Sequence, residues 1–381
     1  VKNLLTLKLT ACVLFVLLFA LGLLLSQLKP LWNDELYTQV YSVEKMSYAQ
    51  ILLGHVPEGN NSPLFYLLQK AVCDVTHFQL PFTWQGQWSI GQPQAQGILR
   101  LMPNLFMSLA LAVLFYAVAV QYSWLAGGYA FLTALASSAV WMYWAEARPY
   151  ALWFALTMLQ ILCFVRFICH PQSRRLMWWF LIGIHILLSI TAVFGAVAVF
   201  IVSLLLFMFY EKKLTCYVLM LFLPLALGLF YFFNAPHYVF RLPVDTALLI
   251  FDHVPIERLV FMTLCAMGLI GLGCVANTRE STAPVVHLAM MVMLFLGAAA
   301  GIMVCLAMTV DSNWKGFVVP SRYFIFLTPI GIVATVVFFF ELMNKIKNRR
   351  WLMINCGILA GGLLIIRSLK VMIEMCTLRI Y

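Results

Sequence analysis

A chain of 381 residues that is 64% hydrophobic and only 10% charged, with a mean hydropathy of +0.96, carries more apolar surface than a water-soluble core can hide, since soluble domains have about 25% charged residues. That excludes a soluble enzyme and a nucleic-acid-binding domain. The net charge of +10 reads instead as the cytoplasmic excess of Lys and Arg that orients membrane proteins. The expected fold is an all-α polytopic membrane protein, a single integral membrane domain over residues 1–381.

The first apolar run lies near 9–28. With Lys2 and Lys8 ahead of it, it looks like a signal peptide, but the run is too long and no small-residue cleavage site follows; a retained helix is expected. The Val at position 1 suits an alternative bacterial start codon or trimming, and the expected location is a bacterial inner membrane. Directly after the run, "LKPLWNDELYTQ" sets Asp34 and Glu35 side by side. A carboxylate at a lipid boundary has to be solvated, paired or put to use.

The stretch 29–100 is the longest loop. Leu36, Val40, Val43, Ile51 and Leu52 recur at roughly helical spacing, which predicts a helix lying in the membrane interface. In "GNNSPLFYLLQKAV", Ser62 suits an N-cap and Pro63 the first helical position. A second, short interfacial helix is expected over 64–68, ended by Gln69, Lys70 and Asp74. Residues 79–99 are Gln-rich with Trp84 and Trp88, which fits an interfacial aromatic belt or a sugar-binding surface.

Eleven stretches reach the span length of about 20 apolar residues. They lie near 9–28, 101–120, 126–144, 148–168, 177–194, 195–210, 214–232, 258–276, 285–308, 323–341 and 351–367. With the N-terminus inside, the cytoplasmic side receives Lys2, Lys8, Arg166, Arg174, Arg175, Lys212, Lys213, Arg279, Lys345, Lys347, Arg349 and Arg350, twelve in all, against five (Arg148, Arg241, Arg258, Lys315 and Arg322) in the short loops opposite. This sets the N-terminus in the cytoplasm. It also puts Asp34–Glu35, "EARPY" (146–150) and "SRYF" (321–324) on the outer face. The ten cysteines show no CxxC pair. Cys73 and Cys376, outside the predicted spans, are either two free thiols or a bridge. His185 and His287 lie in apolar runs and read as packing histidines.

On these residues the sequence resembles the integral-membrane GT-C type glycosyltransferases that use polyprenyl-phosphate sugars, most closely their protein O-mannosyltransferase and aminoarabinose transferase branch. The resemblance is carried by the acidic pair Asp34-Glu35 after the first span and by Gly59-Asn60-Asn61-Ser62-Pro63-Leu64 opening a short helix. Glu146-Ala147-Arg148-Pro149-Tyr150 after the third span and Arg322-Tyr323 with Pro329 heading a late span complete it. The family's His and first Pro stand here as Asn61 and Ser62, and a His-Tyr-Phe stretch as Ala192-Val193-Phe194. No cofactor is implied with certainty, and a divalent metal stays open.

The resemblance implies transfer of a sugar from a polyprenyl-phosphate donor to a hydroxyl of a lipid-linked or cell-surface glycan, on the extracytoplasmic face and within membrane lipid. It implies Asp34 as general base and Glu35 as the acid that orients it. Arg322 and Arg148 would hold the donor phosphate, and Glu146, Tyr150, Tyr323, Asn60 and Asn61 would contact substrate. The plain alternatives are a solvated acidic pair capping an interfacial helix, a snorkelling Arg322, a structural Glu146–Arg148 pair and interfacial tyrosines. The alternative function is a lipid or glycan transporter or flippase. Such proteins place ionisable groups near the bilayer midplane, whereas the predicted spans here hold almost none.

Overall fold

The structure is a computed structural model that describes residues 2–29, 31, 33–58, 62–80, 93–192, 194–210, 217–234, 286–299, 325–345 and 350–377. Among these residues it is all-helical. Helix α1 (Lys2–Leu28) is followed by α2 (Asn33–Tyr37), which runs on as a π-helical turn over Thr38–Glu44. Then come α3 (Tyr48–Leu52), α4 (Leu64–Val75), α5 (Pro93–Leu99) and α6 (Leu101–Gln121). Helices α7 (Trp124–Leu135), α8 (Ser138–Trp144), α9 (Tyr150–Cys169), α10 (Arg174–Ser189) and α11 (Gly195–Phe209) follow. A π-helical turn (Val218–Phe222) leads into α12 (Leu223–Asn234), and the described chain ends with α13 (Val286–Ala299), α14 (Leu327–Lys345) and α15 (Arg350–Thr377).

Among the described residues, helix occupies most of each expected apolar segment; 258–276 and parts of 177–194, 214–232, 285–308 and 323–341 lie outside the described residues. Fewer of the described helices combine the length and the apolar composition of a span. Leu4–Leu28, α6 and α9 are long and apolar enough to cross a membrane, and α7 with α8 makes a fourth if that pair, bent by 72°, counts as one. Helices α11 and α13 are shorter apolar helices, as are Val218–Asn234 and Leu327–Phe340. The expected spans 177–194 and 195–210 correspond to α10 and α11, of 16 and 15 residues, each about 24 Å long at 1.5 Å per residue. Trp178 near the start of α10 and Phe207 near the end of α11 both pack on Tyr217, so the two form an antiparallel hairpin.

Helix directions follow from end-to-end contacts. The start of α6 is tied to the end of α1, since Arg100 donates to Ser26 O at 2.9 Å, while Leu7 of α1 clusters with Phe115 and Ala119 of α6. The ends of α6 and α9 meet where His170 and Gln121 hydrogen-bond at 2.7 Å. Tyr210 lies against His287, so α13 starts where α11 finishes. Phe326, just before α14, packs on Trp153 near the start of α9, and Ser368 of α15 donates to Leu132 of α7. One end of the bundle therefore gathers the end of α1, the starts of α6, α9 and α14, and the loop helices α2–α5.

Helix α9 is central, with 72% of its apolar window buried, against 17% for α1. Leu9, Val13 and Leu17 of α1 and Ile358, Leu359 and Ile366 of α15 stay exposed, an apolar surface suited to lipid rather than water. Gly22 lets α1 approach closely: a Cβ there would sit 2.6 Å from Trp144 Nε1.

The loop helices differ from expectation in three ways. The single helix expected over 35–53 is broken, because Ser47 and Gln50 form a capping box that starts α3 anew. Leu36, Val40, Val43 and Ile51 are buried, but Leu52 is exposed. Helix α4 does not stop at Leu68. Its polar residues find partners, Gln69 donating to Leu99 O at 3.0 Å and Lys70 to Val43 O at 3.2 Å. Pro63, not Ser62, holds the N-cap position. The Ser62 hydroxyl is buried without a hydrogen-bond partner, and its backbone N–H donates to Thr191 O instead. Cys73 is a free, buried thiol that accepts from Gln39 Nε2; burial pushes its pKa up.

Candidate active site

The acidic pair opens α2, so neighbouring side chains leave the helix about 100° apart. Glu35 points inward and is fully buried. Arg100, between α5 and α6, meets it with a fork: Nε donates to Oε1 at 2.8 Å and Nη2 to Oε2 at 2.6 Å. The backbone N–H of Ala147 donates to Oε1 at 2.6 Å. Arg100 spends its remaining Nη1 on Ser26 O and Lys29 O, carbonyls at the end of α1 that have no intrahelical donor and carry the negative end of its dipole. One buried guanidinium thus joins α1, α2 and α6, and Glu35 extends the tie to the α8–α9 turn.

Asp34 points the other way, and its side chain is 35% exposed. Its Oδ2 takes Nη1 of Arg148, from the turn between α8 and α9. The other terminal nitrogen, Nη2, is 2.8 Å from Glu58 Oε2. Glu58 also accepts from the hydroxyls of Thr38 and Ser42, on the π-helical turn. Arg148 is buried, and its Nε has no hydrogen-bond partner. Burial opposes its charge, yet Tyr150, Glu58, Glu146 and Asp34 around it hold its pKa well above the ordinary value. Its guanidinium lies 5.3 Å from the Tyr150 ring centroid, and Tyr150 packs on Tyr143 at 5.0 Å.

Glu146 is buried and acts on Arg148 and on Lys29 through space. Burial lowers the Lys29 pKa, with Glu146 and Glu35 pulling it back up and Arg100 adding to the lowering. The Lys29 ammonium reaches Met142 O at 3.4 Å.

Of the residues singled out in the sequence, Asp34, Glu35, Glu146, Arg148 and Tyr150 come together at this end of the bundle. Asn60, Asn61, Arg322 and Tyr323 lie outside the described residues. Arg148 forms its ion pairs with Asp34 and Glu58, while Glu146, the alternative partner considered for it, acts on it through space. Sequence reasoning missed Glu58 and Arg100. Glu58 is the acid directly before the Gly59-Asn60-Asn61 stretch, and Arg100 stands at the head of an apolar run, a place where a lone Arg is easily read as a snorkelling anchor.

Among the described residues no three His, Cys, Asp or Glu side chains converge to hold a metal ion. Asp34 and Glu58 are turned onto one guanidinium, which is the wrong surrounding for a cation. Compared with models of known families and with curated proteins, the sequence matches none.

Proposed function

We propose that the protein is a glycosyltransferase that moves a sugar from a polyprenyl-phosphate donor to a hydroxyl of a lipid-linked or cell-surface glycan. The observation that carries this reading is the pairing of two adjacent acids with opposite surroundings. Glu35 has both oxygens occupied and no exposure, and Asp34 is partly exposed and held by Arg148. A base needs a fixed carboxylate that still has a lone pair to offer.

In the proposed reaction the acceptor hydroxyl gives its proton to Asp34 as its oxygen attacks the anomeric carbon. The bond from that carbon to the phosphate oxygen breaks, and the polyprenyl phosphate leaves with the electron pair. A positioned base contributes on the order of 10²–10⁴-fold. The departing charge calls for a fixed cation with a planar donor fork, and Arg322 is the proposed one. Arg148 is proposed as a positioning group, because both of its terminal nitrogens are engaged by carboxylates. Glu35 and Arg100 hold the first turn of α2, and with it Asp34, in place.

The test uses purified protein in detergent with a panel of polyprenyl-phosphate sugars. Wild type is expected to consume donor, and Asp34→Asn to be slower by at least about 100-fold while still binding it. Near-normal turnover by Asp34→Asn removes Asp34 from the mechanism. A wild type that consumes no donor, yet moves lipid-linked sugar across liposomes, is a transporter.

A further inference from the structure

We propose that the cleft between α7, α14 and α15, at the end of the bundle opposite Asp34, binds one anionic glycerophospholipid from the surrounding bilayer. The site shares no residue with the candidate active site and does not depend on the transferase reading. The cleft encloses about 660 Å³, a volume within the range of small-molecule sites. Its deep end is closed by Tyr129, whose hydroxyl donates to Gly357 O across the α7–α15 contact. Gly357 and Gly361, one turn apart, leave room for that approach: a Cβ at Gly361 would lie 3.1 Å from the Tyr129 hydroxyl. The Tyr129 ring stacks on Phe339 at 5.1 Å and meets Phe340 edge-on at 5.8 Å, so the floor is a fixed aromatic surface. From Tyr129 the cleft rises past Leu125 to Ser123, about 9 Å along α7. That length takes the glycerol region and the first methylenes of one acyl chain.

The cleft opens sideways as well as at the end of the bundle. Leu125 and Ile358 on its walls are 65% and 69% exposed. A chain leaving there continues over the exposed Ile365, two turns further along the same face of α15. The charge at the mouth selects the headgroup. Helix α14 ends at Lys345, just past the wall residue Met343, and α15 begins at Arg350, one turn before the wall residue Ile354. With Lys347 and Arg349, the sequence sets four bases between Met343 and Ile354. Among the described residues Glu341 is the one acid at this end. Gln121, also on the wall, is bonded to His170 in the turn that leads to Arg174 and Arg175. Orienting a membrane protein needs only an excess of basic residues on one side, not an apolar cleft between helices at their feet. The two together suit a phosphate headgroup and its chain.

The test is native mass spectrometry of the full-length protein in detergent, with thermal unfolding alongside. Phosphatidylglycerol or phosphatidylcholine of identical chains is added at equal concentration. Wild type is expected to carry one phosphatidylglycerol, in preference to phosphatidylcholine by at least about fivefold, the factor for one Lys or Arg near an anionic surface. It should also unfold at a higher temperature with that lipid bound. Lys345→Gln combined with Arg350→Gln should lose the preference while still taking up either lipid. Gly357→Leu should lose the bound lipid itself. A Cβ there meets nothing closer than the Tyr129 hydroxyl at 3.7 Å and Met343 at 4.0 Å, so the side chain fits, and it fills the cleft between them. Leu17→Trp, on the exposed face of α1, should change neither. Equal uptake of the two lipids by wild type overturns the proposal and leaves an unselective lipid shell. So does a preference that survives in the paired Gln variant, or selective uptake that survives in folded Gly357→Leu. A second copy of the chain seated in the cleft would show as a dimer that Gly357→Leu disrupts and phosphatidylglycerol does not, and that outcome overturns it too. If Gly357→Leu does not fold, Ile358→Trp repeats the measurement from an exposed wall position. Failure of both to fold makes the cleft a packing seam and also overturns the proposal.

Discussion

Asp34 and Glu35 are chemically alike and adjacent, so what separates them is the guanidinium each one meets. Arg100 and Glu35 are both fully buried, and a buried ion pair owes its stability to complete pairing. Removing one partner strands a charge at a cost of about 3–5 kcal/mol, whereas replacing the pair by apolar groups can be nearly neutral. Arg100 has a second duty at the end of α1, because Ser26 O and Lys29 O lose their donor with it. Arg100→Met should therefore destabilise the protein strongly in detergent thermal unfolding, and more than Glu35→Gln. The double variant should recover part of the loss by restoring charge balance, without reaching wild type, because the α1 carbonyls remain unserved. A double variant as unstable as the two singles added together would show that Glu35 and Arg100 do not act as a pair. The acids were legible in the sequence because two carboxylates after an apolar run demand an explanation. Their cations were not, because Arg100 lies 65 residues from Glu35 and Arg148 lies 114 from Asp34, and spacing carries no signal over such distances.

Within the helices, the informative break is the π-helical turn ahead of α12. In an α-helix Met220 O would accept from the N–H of residue 224, but that residue is Pro224, which has no N–H and crowds the carbonyl four residues earlier. Widening into a π-turn relieves the crowding, and the carbonyl left over is filled from another helix. His185 of α10 meets Met220 O at 2.9 Å through Nδ1. A carbonyl only accepts, so Nδ1 carries the proton and Nε2 accepts from Gln160 of α9, also at 2.9 Å. Gln160 in turn donates to Ala198 O of α11 at 3.0 Å. This chain of three bonds links α9, α10, α11 and the π-turn inside an apolar bundle. Hydrogen bonds between helices in such surroundings are worth about 0.6–2 kcal/mol each, so His185→Leu should lower stability by about 1–3 kcal/mol. Gln160→Leu should do less, and the double variant should fall short of the sum because the residues share one network. Full additivity in thermal unfolding would dissolve the network into separate contacts. The reading of His185 as a packing histidine was available from its apolar surroundings. Its link to Pro224 was not, since that depends on which helices become neighbours.

At the scale of the whole molecule, the contacts that fix helix direction and the distribution of basic residues are independent observations with the same alternation. The helices that should run outward from the cytoplasm, α1, α12 and α15 among them, finish at the end that holds Asp34, and those that should return start there. Tyr231 near the end of α12 reaches Leu52 O at 3.2 Å, while Gln121 and His170 meet at the opposite end, beside Arg174 and Arg175. Alternation alone does not say which end faces the cytoplasm; the proposed orientation puts the twelve-to-five excess of Lys and Arg there. The consequence is measurable at two exposed positions. Gln79, in the loop that follows α4, and Gln172, in the turn between α9 and α10, are both exposed to solvent. With the ten native cysteines replaced, a single cysteine at Gln79 should react with a membrane-impermeant maleimide in intact cells. One at Gln172 should react only after the membrane is opened. The proposed donor has its sugar on the outer face, so the converse pattern would put Asp34 on the wrong side of the bilayer for it and end the transferase proposal, however well the site's geometry suits a base. Labelling of both positions in intact cells would break the alternation itself and require another course for the helices between α4 and α10.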